Sequence, residues 1–368
     1  MKNFPIQIRQ DDAAREMASI ERKVLSGMQE LSKLKDEDVD IGSTPKDVVY
    51  ERETWKLYHY HPTVAEKDVH PIPMLIIPPL INGYEVADLQ PDRSLVRNFL
   101  AEGIDVYLLN WGYPKRCDMY LSWDDYVCDF IDDAVDFIRK DRGLESINLF
   151  GICQGGTMSV CYCALFPEKI KSLTLTVTPI DFSRGKVEGK PHVGLLFEMG
   201  RNADVDLMRD AFGLIPADVL NVSFLMASPF TLMFGKYADM VDILDNREAL
   251  LNFLRMEKWL FGGPGVSGEA YRQLVRTFLQ GNALVNGELE LDGQKVDLKN
   301  ITMPILNIYA ERDHLVPPPC TTALGEHVGN KDGYEELCIK TGHIGIYTGG
   351  ASQKILAPTA AKWIKEHN

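Results

Sequence analysis

The segment Leu149-Phe150-Gly151-Ile152-Cys153-Gln154-Gly155-Gly156 sets one thiol in a glycine-rich turn directly after a short apolar run. That pattern fits a nucleophile elbow, in which a strand ends, the chain reverses into a helix, and small residues let the reversal close against neighbouring backbone. A cysteine there projects its sulfur past the strand end, and the following helix aims unpaired N–H groups at the carbon under attack. The N–H of Gln154 is one expected donor to a developing oxyanion. A second is expected from the loop after Met74-Leu75-Ile76-Ile77-Pro78-Pro79, near Ile81.

A free thiol ionises near pH 8.5, so a nucleophilic cysteine at neutral pH needs a base. Downstream, Asp313 and His314 follow the apolar run Ile305–Ala310, and Gly342-His343 follow the run that ends at Ile339. Both positions close strands at their C-terminal ends, where open α/β sheets build their sites. The usual order of nucleophile, acid and histidine makes Asp313 the acid and His343 the base of a Cys-Asp-His triad. His314 is the competing base, but its neighbour already occupies the acid position. Cys161 and Cys163, on the helix after the elbow, are expected to be packing residues. The chain has seven cysteines at irregular spacing, which suggests neither a disulfide framework nor a zinc site. His59, His61 and His70 read as strand-surface or loop residues, no metal site is expected, and the G-x-G-x-x-G spacing of a dinucleotide site is absent.

These residues need a scaffold. Apolar runs at 74–79, 105–111, 146–152, 172–180 and 303–310 alternate with helix-like stretches. In the longest such stretch Ser122 and Asp125 form a capping box, and Val127, Phe130, Ile131, Ala134, Val135 and Ile138 share one face. Strand-helix alternation implies a doubly wound, mostly parallel sheet. An additional first strand is expected across 48–62, with Trp55, Leu57, His59 and His61 on one face. The alternation lapses over 183–300 into a helical stretch rich in Phe, Leu and Met, including Met199, Met208, Met226, Met233, Met240 and Met256. An insertion between late strands suits a cap over the site. The expected organisation is a helical segment 1–44, a core formed by 45–182 and 301–368, and a cap at 183–300.

At 368 residues the chain can bury a sizeable core, and its net charge of -14 argues against nucleic acid as a partner. Residues 1–19 are charged throughout and the longest apolar run is too short to span a bilayer, so a cytoplasmic location without a transmembrane segment is expected. Met17, Ile20, Val24, Met28, Leu31 and Leu34 recur at helical spacing, giving an amphipathic helix that packs on its own domain or on a second subunit.

With those residues in place, the chain resembles the polyhydroxyalkanoate synthases, specifically their short, two-subunit (class III) branch. The resemblance rests on the run from Pro78 to Pro114, on Gly151–Gly156, on Asn252–Trp259, on Ala310–Pro318 and on Thr341–Tyr347. It implies an α/β-hydrolase fold with a cap, Cys153 as the acylated residue, His343 as its activator, and Asp313 as either the orienter of His343 or the base for the incoming hydroxyl. It also implies polymerisation of 3-hydroxyacyl-CoA, chiefly 3-hydroxybutyryl-CoA, into polyester with release of CoA. No cofactor is implied, because the CoA thioester is the substrate. A second synthase subunit, a homodimer and residence at the polymer granule surface are implied as well. A cysteine-dependent hydrolase of the dienelactone-hydrolase or acyl-CoA thioesterase type is the alternative; its products would be free acids.

Overall fold

The computed structural model describes residues 9–52, 54–185, 200–226 and 230–368. One sheet of eight strands organises it: β1 (Lys46–Arg52), β2 (Trp55–Tyr60), β3 (Met74–Ile77), β4 (Val106–Asn110), β5 (Ile147–Ile152), β6 (Ile170–Thr176), β7 (Ile305–Ala310) and β8 (Tyr334–Ile339). In space the order is β1-β2-β4-β3-β5-β6-β7-β8. The last six are mutually parallel, and the β1–β2 pair adds antiparallel at one edge.

Strand β3 shows why the sheet lies inside. Its four residues are all fully buried, with Leu75 and Ile77 in the core on one face and Met74 and Ile76 in the core on the other. A strand apolar on both faces must be covered on both, and each such side chain contributes about 1.5–3 kcal/mol by leaving water. The helices used below are, in chain order, α1 (Gln10–Leu31), α2 (Leu95–Ala101), α3 (Asp132–Arg142), α4 (Gln154–Leu165), α5 (Arg247–Phe261), α6 (Gly345–Thr348) and α7 (Gly350–Glu366). Helices α3 and α4 pack on the face of Leu75, and α2 and α7 on that of Met74.

Ser122 and Asp125 do make reciprocal bonds, Ser122 N–H and Oγ each 2.7 Å from Asp125 Oδ2 and Asp125 N–H 3.3 Å from Ser122 Oγ. The helix they open first winds as a π-helix over Asp125–Ile131 and then as α3, so the apolar face reaches the core through a wider turn than the 3.6-residue spacing assumes. The single first strand expected across 48–62 is instead a hairpin, in which β1 turns back on β2 with Val48 opposite Tyr58. Alternation along the sequence survives a reversal, so it could not show the turn. His59 and His61 meet carboxylates from elsewhere, Asp105 at 2.7 Å and Asp47 at 3.0 Å.

Between β6 and β7 the chain passes through helices that include Val205–Phe212, Ala217–Met226 and α5. Met199 lies outside the described residues. The stretch is tied to core loops: Trp259 Nε1 donates to Gly83 O at 2.9 Å, Tyr113 hydroxyl to Gly262 O at 3.0 Å, and Phe182 N–H to Asn282 Oδ1 at 2.9 Å. Helix α1 touches this same stretch. Its Gly27 packs on Leu244, and Lys23 reaches Asp242 at 2.8 Å, while Met17 and Met28 stand 72% and 64% exposed. Among the described residues no helix is long and apolar enough to cross a membrane.

Candidate active site

Cys153 sits between the end of β5 and the start of α4 with φ 50° and ψ -118°, a left-handed conformation that side chains rarely adopt. Two features hold it there. Its N–H donates to Thr176 O at 2.9 Å, on the neighbouring strand β6, and the glycines after it permit backbone contact that a side chain would block. A Cβ on Gly155 would lie 2.2 Å from Ile77 O, and one on Gly156 would lie 1.9 Å from Thr178 Oγ1. The sequence therefore needs glycine at both positions for α4 to start where it does.

The first N–H groups of α4, Gln154 among them, have no carbonyl within their own helix to bond and lie just past the sulfur. The loop of Ile81 is drawn to the same place. Gln154 Oε1 accepts the N–H of Leu80 at 3.1 Å, and Trp111 Nε1 donates to Pro78 O at 2.9 Å. The side chain of Gln154, rather than its backbone alone, thus anchors the loop that carries Ile81. Sequence reasoning missed this because an amide next to an elbow carries no pattern that names its partner.

Asp313 follows β7 and His343 follows β8, so the three residues stand at the C-terminal ends of β5, β7 and β8, parallel strands with β6 between the first two. His343 Nδ1 lies 2.7 Å from Asp313 Oδ2, and Cys153 is near enough to the imidazole for its charge to raise the pKa of His343. With Nδ1–H turned to the carboxylate, Nε2 is the ring nitrogen that remains for the thiol. Asp313 Oδ1 accepts the N–H groups of Leu315 at 2.9 Å and Val316 at 2.8 Å. Both residues are buried, His343 at 5% and Asp313 at 3% exposure. Burial by itself would lower the His343 pKa. The charges of Asp313 and Cys153, with the bond to Asp313, outweigh it and push the imidazole up to about 10. His314 is half-buried, and burial lowers its pKa against the opposing pull of Asp313. The bond to the carboxylate belongs to His343.

Residues 73–350 match the alpha/beta hydrolase fold family, and residues 15–99 match the family described as the N-terminus of poly-beta-hydroxybutyrate polymerase. The chain is 44% identical to the poly(3-hydroxyalkanoate) polymerase subunit PhaC of Allochromatium vinosum across 99% of both chains. It is 43% identical to that of Synechocystis, covering 100% of this chain and 96% of the relative. The chain belongs to the poly(3-hydroxyalkanoate) polymerase family. The likeness reaches further toward the N-terminus than the motifs quoted above, since the polymerase match begins at residue 15, inside α1. A solved structure from Sulfolobus solfataricus superposes with a TM-score of 0.53 at 16% identity, over 88% of this chain and 99% of that one, which establishes the shared fold. The polymerase-family chain is thus an enzyme on an α/β-hydrolase scaffold that presents cysteine at the elbow.

Among the described residues no group of three or more His, Cys, Asp or Glu side chains is placed to hold a metal ion. Cys161, Cys163 and Cys320 are fully buried, and burial raises the pKa of each, which keeps them as thiols. Two further residues at the site have no signature in the sequence. Thr176 and Tyr347 are buried beneath the elbow with their side-chain oxygens 2.9 Å apart.

Proposed function

We propose that Cys153 carries the growing chain of a polyester made from 3-hydroxyacyl-CoA, chiefly 3-hydroxybutyryl-CoA. The observation that supports this reading is the buried His343–Asp313 pair placed beside the strained elbow that carries Cys153. His343 Nε2 takes the thiol proton, and the sulfur attacks the thioester carbonyl. The N–H groups of Gln154 and Ile81 receive the oxyanion, CoA leaves, and the proton returns to it. One thioester replaces another at little change in free energy. In the next step the 3-hydroxyl of an incoming or resident unit attacks the acyl-cysteine. His343 takes the hydroxyl proton, an oxygen ester forms, and Cys153 is released as a thiol. Ester formation from a thioester is downhill, which commits the chain to growth.

Residues 183–300 act in this reading as a cap that excludes water, which would otherwise hydrolyse the acyl-enzyme. The enzyme works with a second synthase subunit, forms a homodimer and acts at the surface of cytoplasmic polyester granules. The exposed apolar side of α1 supports a partner. Trapping with radiolabelled 3-hydroxybutyryl-CoA followed by peptide mapping tests the reading. Label is expected on Cys153 alone, with Cys153→Ala inactive; label on Cys161 or Cys320, or free acid as the sole product, would overturn it.

A further inference from the structure

Directly beneath the elbow, a second connection joins the nucleophile to the base. Tyr347 lies four residues after His343, one turn along, on α6, and is 1% exposed. Its hydroxyl is 2.9 Å from Thr176 Oγ1 and 3.4 Å from Thr176 O. Thr176 Oγ1 also lies 3.2 Å from Gly151 O, and each hydroxyl has one proton to share among these contacts, so either can be the donor in the 2.9 Å contact. The same Thr176 carbonyl accepts the N–H of Cys153. Thr176 therefore touches β5 before the nucleophile through its hydroxyl and the nucleophile itself through its carbonyl, and the Tyr347 hydroxyl lies against both groups.

The surroundings show that this place is under constraint. Val177, the next residue, has φ 43°, a conformation unfavourable for a β-branched side chain, and it is fully buried with its N–H bonded to Ile308 O at 2.9 Å. Cys153 is left-handed too. Two strained residues just past the ends of adjacent strands persist only if neighbouring bonds over-determine them. The backbone carbonyl of Tyr347 is in turn held by the Gln353 side chain, whose Oε1 accepts from Asn98 Nδ2 at 2.7 Å, so the tyrosine is braced from the α2 side. Burial, and after it the charge of Cys153, raises the phenol pKa well above its ordinary value, which keeps the phenol protonated.

We propose that Tyr347 is a positioning residue: through Thr176 it ties the segment that carries His343 to the strained turn that carries Cys153, and so sets the approach of imidazole and thiol. It touches neither substrate nor reacting atoms. The inference rests on the reading that Cys153 and His343 form the reacting pair. In polymerase purified with its partner subunit, Tyr347→Phe keeps the ring and removes the bond. Iodoacetamide alkylation of Cys153, read by peptide mass across a pH series, is expected to slow about tenfold at pH 7, equivalent to about 1.4 kcal/mol, with its midpoint displaced upward. The first-turnover release of CoA is expected to slow likewise, with KM unchanged. Thr176→Val should reproduce both effects and Thr176→Ser should restore wild-type values. A merely structural role would lower the melting temperature and leave the alkylation midpoint in place. Wild-type alkylation and midpoint in folded Tyr347→Phe overturn the proposal, as does a wild-type Thr176→Val should the tyrosine variant not fold. Failure of substrate to label Cys153 in the wild type would instead overturn the polymerisation chemistry assigned above, and alkylation detects the tether without substrate.

Discussion

Both carboxylate oxygens of Asp313 are engaged inside the protein, one by His343 and the other by the amides of Leu315 and Val316. A substrate hydroxyl would have to displace one of these bonds, so the geometry favours Asp313 as the orienter of His343 over Asp313 as the hydroxyl's base. Asp313→Asn and His343→Ala are accordingly both expected to slow the first release of CoA itself, on the order of 10³- to 10⁴-fold. A normal first burst followed by failed elongation would return the hydroxyl to Asp313. The raised imidazole also makes a stability prediction. Its pKa in the folded chain, about 10, exceeds its ordinary value, so its contribution is complete below that ordinary value and is lost as pH rises through the folded one. The urea midpoint of the wild type should fall between pH 7 and 10 more steeply than that of His343→Gln, and parallel curves would contradict the assignment.

Among the elements, the elbow and the cap carry separate expectations. Gly155→Ala would drive a Cβ into Ile77 O, a backbone atom that cannot swing away. A loss of about 1–3 kcal/mol is expected by denaturant titration, together with impaired acylation because α4 must shift. In the cap, Phe230 is 84% exposed, so this side chain does not shield Cys153 in the described conformation. Trp259, nearly buried, instead ties α5 to Gly83, two residues after Ile81. Trp259→Phe is expected to raise the ratio of free 3-hydroxy acid to polymer several-fold, since loosening that contact admits water near the acyl-enzyme. Phe230→Ser should leave the ratio unchanged. The reverse ranking, measured beside the CoA burst, would mean that the cap closes in another arrangement.

For the whole molecule, the polar edge of α1 rests on the stretch between β6 and β7 while Met17, Ile20, Met28 and Leu31 face solvent. Neighbouring apolar groups in such a row favour burial by association. A chain purified alone is therefore expected to polymerise with a lag and at reduced specific activity, and addition of a second synthase subunit should remove the lag. Full activity without a lag in the isolated chain would contradict this.

Much of this could be read from local chemistry. The order of Cys153, Asp313 and His343, each just beyond an apolar run, follows from short-range rules, because strand ends, turns and helix starts are set by neighbouring residues. The buried strand β3 was legible for the same reason. The pairing of β1 with β2 was not, because a period of two is unchanged when the chain turns back on itself. Nor were the links from Gln154 to Leu80, from Trp259 to Gly83, or from Tyr347 through Thr176 to Cys153. The last spans 171 positions between tyrosine and threonine. A hydroxyl in an apolar segment shows only that some partner is needed. By itself the sequence determined which residues could react and the elements that would carry them. The tertiary structure alone decided their partners, since hydrogen bonds across strands and loops depend on strand order and register, which no local pattern encodes.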